Sequence, residues 1–383
     1  MKFISLSILL ASYVAGQCSN SITINSQGDA SGLSSCSTFT GDINANAISA
    51  DSLDFSGITQ VKGSITISNS FNLKSVNFPD LKSVSGSFNL LNNTQVISLN
   101  TAQLSSCGNF IISNNPNLRT LSINSISTIS GFSIINTSID SISGLSFKNA
   151  TFIDVSANSY LNKIDFSTLT NINGFINIAD NDSGSTANFP NLLSIGGNST
   201  FRGLSSLNVS NVTTLVDTFN LNGNSFTSFS LDKLSNVSKD ITIFSNSQLS
   251  SFKVPLLTSI DGGIQIRQNP LLLSIDEDAF PNLATVKGGV DINGTMTNVT
   301  FPKLTRIDGA FVLSTSGNAD CNQIKKTLTG VYRGTFSCNA KTASSSGGSS
   351  SSSGSSAAPR SASFNSKLAG SIVAIALIAA TFF

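Results

Sequence analysis

The 383-residue sequence contains no histidine and no tryptophan, and only three tyrosines and two methionines. Without histidine the commonest general base and metal ligand are missing, and so are the Ser-His-Asp and Cys-His pairings of nucleophilic catalysis. Charge is also scarce: 21 Lys+Arg stand against 20 Asp+Glu, and charged residues make up 11%. Nucleic-acid binding needs clustered positive charge, which so even a balance excludes. Five cysteines are present, with no CxxC or other metal-ligand spacing. No cofactor and no metal site is expected.

Long hydrophobic runs occur only at the two ends. The first, MKFISLSILLASYVAGQ, has a basic start at Lys2, a short apolar run Phe3–Leu10 and small residues at Ala15 and Gly16. It reads as a secretory signal over 1–16, with the mature chain starting near Gln17. The second, Leu368–Phe383, is short for a bilayer span and has no basic flank. Before it come a polar spacer and the small triplet Gly354-Ser355-Ser356. That order reads as a GPI-attachment signal, with Gly354 or Ser355 as the attachment residue and 357–383 removed. The alternative is a single-pass tail helix. The tract between, 341–356, is Ser/Gly-rich and reads as a flexible, O-mannosylated stalk.

Both ends place the mature chain outside the cell, where cysteines pair. Cys18 with Cys36 and Cys321 with Cys338 form local sets at the two ends of the folded part, leaving Cys107 either buried or free to pair elsewhere. Ten N-x-S/T sequons suit the same compartment: Asn92, Asn136, Asn149, Asn181, Asn198, Asn208, Asn211, Asn236, Asn293 and Asn298.

The middle of the chain is a repeat. A glycine followed by alternating apolar residues recurs at Gly63, Gly86, Gly108, Gly131, Gly174, Gly197, Gly262, Gly288 and Gly309. Weaker copies lie near Gly41, Ala150, Asp217 and Asp240, and the spacing of roughly 22 residues is in the solenoid range. Phe-Pro-x-Leu precedes several copies, as at Phe78-Pro79-Asp80-Leu81 and Phe280-Pro281-Asn282-Leu283. Pairs such as Ile65/Ile67, Phe88/Leu90 and Ile264/Ile266 alternate with polar residues, the signature of a short strand with one buried face. An Asn-rich turn follows (Asn69, Asn92, Asn114, Asn246), then a second apolar pair such as Leu118/Leu121 or Leu273/Ile275.

One unit cannot bury its own apolar face, so neighbours must stack. The expected fold is all-β, a β-helix of about 13 rungs at ~4.8 Å each, spanning 17–340 and closed by disulfide caps. Most of the 26 phenylalanines belong to its core. Asp261-Gly262-Gly263, which in isolation suggests a phosphate cradle, leads into a strand and not a helix, so it is one corner of a rung.

The unit apolar-Pro-x-Leu-x-x-Ile-x-Gly-x-apolar-x-apolar resembles the receptor L-domain, a leucine-rich-like β-helix, and 17–340 is open to division into two such halves. With signal, stalk and GPI tail, the whole chain resembles the fungal GPI-anchored cell-wall organisation family, of the extracellular-matrix and sporulation-specific type. That resemblance implies a non-enzymatic glycoprotein of the plasma membrane and cell wall, needed for wall integrity. The expected partners are wall glucans or mannoproteins and, through the anchor, the membrane. Two alternatives stand beside it. Glycoside chemistry needs only two carboxylates, and Asp261, Asp308 or the Asp276-Glu277-Asp278 triplet are the candidates. A receptor or adhesin would use the same scaffold to hold a protein ligand.

Overall fold

The computed structural model describes residues 18–123 and 126–341. The leader at 1–16, the stalk beyond Lys341, the attachment residues Gly354 and Ser355 and the segment 357–383 lie outside the described residues. The folded unit is a coil of short strands in which every described pairing is parallel, with about 14 turns against the 13 expected. The difference lies in the caps: Ile22–Ile24 has no preceding glycine unit, and Phe336–Ala340 follows Gly334, a copy beyond the last one counted in the sequence.

Each turn lays down up to three strands. The longest follows the glycine and stacks on its counterparts from Ile22–Ile24 through Ile65–Ser68 and Ile264–Arg267 to Phe336–Ala340. The Ile-x-Gly segments form a second face, from Asn149–Ala150 to Arg306–Ile307. A third face lies before the Phe-Pro turns and is broken into short sheets, the first pairing Ser52–Asp54, Ser75–Asn77, Ser98–Asn100 and Thr120–Ser122. In-register stacking puts like on like inside the coil: Ile67 pairs with Leu90, and Phe88 with Phe110. Phenylalanine rings stack between rungs, as with Phe55 on Phe78 (4.3 Å, 5° between planes) and Phe166 on Phe189 (5.3 Å, 4°).

The corner after each long strand depends on a buried polar ladder. A residue at the end of the long strand turns left-handed, at Asn69, Asn92, Asn114 and Asn136 but also at Ala47 and Ala157. The residue after it points inward and is fully buried: Ser70, Asn93, Asn115, Asn158, Asn224, Asn246 and Asn269. Each amide oxygen takes the backbone N–H of the same corner one rung earlier, as Asn93 N–H to Asn115 Oδ1 (3.0 Å) and Asn246 N–H to Asn269 Oδ1 (2.9 Å). In Asn93, Asn115, Asn158 and Asn269 the Nδ2 donates to two strand carbonyls, Ile243 and Arg267 in the case of Asn269, while in Asn224 and Asn246 it donates to one strand carbonyl and to the next ladder Oδ1. Two or three backbone groups that the bend strips of partners are thereby paired by one side chain. Asn246, expected as a turn residue, belongs to this inner ladder.

Counting from the ladder corrects a second expectation. The residue three past the ladder position is the buried one, so Leu272 fills the core while Leu273 is 51% exposed. The corner glycines are set by crowding, not by backbone angle. A Cβ at Gly63 would stand 2.1 Å from the Gly41 carbonyl oxygen, and one at Gly309 2.8 Å from the Gly288 carbonyl carbon.

Disulfides Cys18–Cys36 and Cys321–Cys338 close the two caps, each with a short helix, Gln27–Gly32 and Cys321–Thr327. Closing loops of this size contributes about 3 kcal/mol on the chain-entropy view. Asn246→Ala removes the partners of the Asn224 N–H and the Leu221 carbonyl. It should destabilise by about 3 kcal/mol, whereas exposed Asn114→Ala, at a position alanine fills in other rungs, should cost about 1 kcal/mol. Urea unfolding of the secreted chain checks the ratio.

Candidate functional site

The outer surface is built from columns one rung apart. On the first sheet of the third face, Asn77 Nδ2 donates to Asp54 (2.7 Å) and Asn100 Nδ2 to Asn77 (2.7 Å). A parallel column of Ser52, Ser75 and Ser98 completes a shallow groove of about 330 Å³. The motif returns further along, with Asn188 bonded to Asp165 (3.0 Å) and Asn208 to Asn188 (2.9 Å). The Ser56 hydroxyl, followed by the Asn77 amide, holds the Asp54 carboxyl below the usual carboxylate range. These columns were not among the sequence candidates. Their signal is the recurring Asp or Asn one residue before Phe, at Asp54, Asn77, Asp165 and Asn188.

The candidate carboxylates are neutralised by neighbours. Asp261 pairs with Lys287 (2.8 Å), and Asp308 with Arg306 (2.7 Å) and Arg333 (3.3 Å). Asp261, Lys287, Asp308 and Arg333 occupy the same corner of successive rungs, so sign alternates up the stack. Arg306, by direct hydrogen bonding, keeps the Asp308 carboxyl ionised below its ordinary range. In the acidic triplet, Asp276 accepts the Asp278 N–H (3.1 Å) and Asp278 pairs with Lys253 (2.8 Å), while Glu277 is exposed. The structure does not bring Asp261, Asp308 and the triplet together. Glycoside cleavage needs one carboxyl poised as acid beside a second as base or nucleophile. At these sites Asp261, Asp278 and Asp308 are engaged in ion pairs with Lys287, Lys253 and Arg306.

One carboxyl behaves oppositely. Asp154, on the outer side of the long face, is 4% exposed, and burial pushes its pKa up. Asn177 Nδ2 (2.9 Å) and Ser156 Oγ (3.0 Å) both donate to its Oδ1. Its rung neighbours in register are Ser133 and Asn177, so no second carboxylate faces it across the sheet. Among the described residues no group of His, Cys, Asp or Glu is placed to hold a metal ion. Cys107 lies in the core at 3% exposure, and burial lifts its thiol to about 12. It is therefore a neutral thiol and a poor nucleophile at any physiological pH.

The sequon asparagines divide by exposure. Asn149, Asn198, Asn236, Asn293 and Asn298 are exposed; Asn92, Asn136, Asn181, Asn208 and Asn211 are half-buried. Asn181 also belongs to the inner ladder, accepting from Asn158 N–H (3.2 Å) and donating to the Val155 carbonyl (2.9 Å).

Residues 141–253 match the receptor L domain family. Over 327 residues the chain is 32% identical to "Protein ecm33" of Aspergillus fumigatus, covering 85% of this chain and 81% of that protein. The chain belongs to the Ecm33 family of fungal cell-surface proteins. A "Cell surface GPI-anchored protein" of Arthroderma benhamiae is 28% identical over 352 residues, covering 85% of this chain and 84% of that protein. "Sporulation-specific protein 2" of Saccharomyces cerevisiae shares 25% identity over 134 residues, 35% of this chain and 26% of that protein. For this Ecm33-family member the all-β solenoid and the cell-surface location anticipated from the repeat and the ends are borne out.

Two outcomes follow for the buried titratable groups. A carboxyl whose pKa is raised on folding stabilises at low pH, and that contribution is lost as pH rises through the folded pKa. Asp154→Asn keeps an acceptor for Asn177 and removes the loss. It should raise Tm at pH 7, with the gain vanishing below the ordinary carboxylate range. Cys107 should resist thiol reagents in the native protein and react stoichiometrically in denaturant, as read by mass spectrometry.

Proposed function

We propose that this protein is a GPI-anchored glycoprotein that organises the fungal cell wall by binding and spacing wall polymers, without catalysis. The observation that carries the reading is the match along nearly the whole chain to a fungal cell-surface family. The geometry supports it. Three faces of Ser, Thr and Asn columns repeat at the rung spacing, and hydroxyl- and amide-lined surfaces of that kind suit extended, hydroxyl-rich chains such as wall glucans or mannoproteins. The carboxylates Asp261 and Asp308 that a hydrolase would need are engaged in surface ion pairs.

In this reading residues 1–16 direct export, 17–340 form the binding rod, 341–356 space it from the surface, and Gly354 or Ser355 takes the anchor after 357–383 is removed. Exposed sequons at Asn149, Asn198, Asn236, Asn293 and Asn298 carry N-glycans. A second reading, a receptor or adhesin for a protein ligand, is favoured by the receptor L domain match over 141–253.

Loss of the gene product should sensitise cells to wall-binding dyes; a deletion strain with ordinary resistance would count against the wall role. Phosphatidylinositol-specific phospholipase should release the membrane-held fraction, and glucanase the wall-held fraction. A chain that stays in membranes after both treatments would argue for a tail helix instead.

A further inference from the structure

The outer surface of the solenoid carries one ordered aromatic stack. Phe152 and Phe175 lie on adjacent rungs with ring centroids 5.5 Å apart and planes 9° from parallel. The inner side of the stack is sealed. The Phe152 ring lies on Gly131, where an added Cβ would meet Phe152 Cε1 at 2.2 Å. The outer side is open, and Phe175 is 41% exposed among polar neighbours.

The next rung explains what that open ring faces. Ile176 pairs with Ser199 in register, so Asn198 stands one rung beyond Phe175 at the same corner. The Ile176 N–H donates to the Asn198 carbonyl (3.0 Å), fixing the two corners against each other. Asn198 is exposed and heads the sequon Asn198-Ser199-Thr200. Its Oδ1 is turned onward to the following rung, where it accepts from Asn220 Nδ2 (2.9 Å). Nδ2, the atom that bears an N-glycan, makes no hydrogen bond among the described residues. Among the other exposed sequons, the register neighbours of Asn149, Asn236 and Asn298 are Asn171, Thr214 and Ser274, none of them a ring.

We propose that Asn198 carries an N-glycan whose first N-acetylglucosamine lies on the free face of Phe175, completing the stack Gly131–Phe152–Phe175–sugar. A pyranose presents a flat row of C–H groups, and an aromatic face is the negative end of the ring quadrupole that receives them. The donor is an oligosaccharide held on a lipid diphosphate. The Nδ2–C1 bond forms, the C1–O bond to diphosphate breaks, the lipid diphosphate leaves and one amide proton is lost. The remaining Nδ2 proton and the Oδ1 bond to Asn220 are both compatible with the modified amide. The sugar thus becomes a structural part of the rung, shielding the apolar ring from water. The proposal rests on the export of the chain through the secretory route.

The test uses the full chain secreted from yeast. Glycopeptide mass spectrometry should find Asn198 occupied, with Asn149 and Asn236 as internal controls. Thr200→Ala, which removes the sugar but keeps the Asn198–Asn220 bond, should lower Tm by about 2 °C in the natural background. In a Phe175→Leu background the same change should lower it by nothing measurable. Endoglycosidase H, which leaves the first sugar, should preserve Tm, while complete removal by peptide N-glycosidase should not. An empty Asn198 beside occupied controls would overturn the proposal and leave the export reading intact, and no N-glycan anywhere would sink both. Equal losses of Tm with and without Phe175 would mean that the sugar does not touch the ring.

Discussion

A parallel coil can bend only where something satisfies the backbone groups that the bend leaves unpaired, and here, in many of the turns, that is one buried amide. The ladder from Ser70 to Asn115, resumed at Asn158 and again from Asn224 to Asn269, fixes the corner, and the corner fixes the rung. Much of the leucine registry follows from it, because the core residue lies three positions past the ladder position at Leu73, Leu118, Leu161, Leu249 and Leu272. The glycine columns have the same origin: once rungs stack at the strand spacing, the opposite corner leaves no room for a Cβ. Where Leu204 replaces the amide, its N–H still reaches Asn224 Oδ1 (3.0 Å), so the coil continues through the gap.

The surface obeys the same arithmetic of repetition. A residue type at one outward position meets its counterpart above and below, so unlike charges on neighbouring rungs find each other and like ones would repel. Asp261, Lys287, Asp308 and Arg333 alternate for this reason, and each such exposed pair is worth no more than about 1 kcal/mol. Their value is in leaving a nearly neutral outer face. Chemistry on such a scaffold comes from lines of equivalent groups, not from convergence of different ones, which suits recognition of chains more than attack on a bond.

Much of this was legible in the sequence. The glycine followed by Ile65 and Ile67, repeated with the same spacing to Phe311 and Leu313, specified strand, buried face and stacking at once. Asn69, Asn92 and Asn114 announced left-handed corners because few other side chains tolerate them. What was hidden depended on the third face. Its strands are two or three residues long, too short for a period to show, so Leu273 was read inward in place of Leu272. The role of Asn246 was equally obscure, since an asparagine that turns a corner and one that is swallowed by it look alike one residue apart. Asp154 gave no sign of burial because its shelter comes from residues on other rungs.

The last strand, Phe336–Ala340, holds Cys338, which is bonded to Cys321 at the head of the terminal helix. Strands in this coil lie across the axis, so a pull along the axis from beyond Lys341 would peel rungs one at a time, breaking a few hydrogen bonds per step. The disulfide changes the path of that force. Tension entering at Cys338 passes directly to Cys321, bypassing the loop between them, and the final strand cannot be peeled past Cys338 by itself. The cap is therefore a mechanical stop as well as an edge cover: a pull on this end has to move the last strand and the terminal helix together.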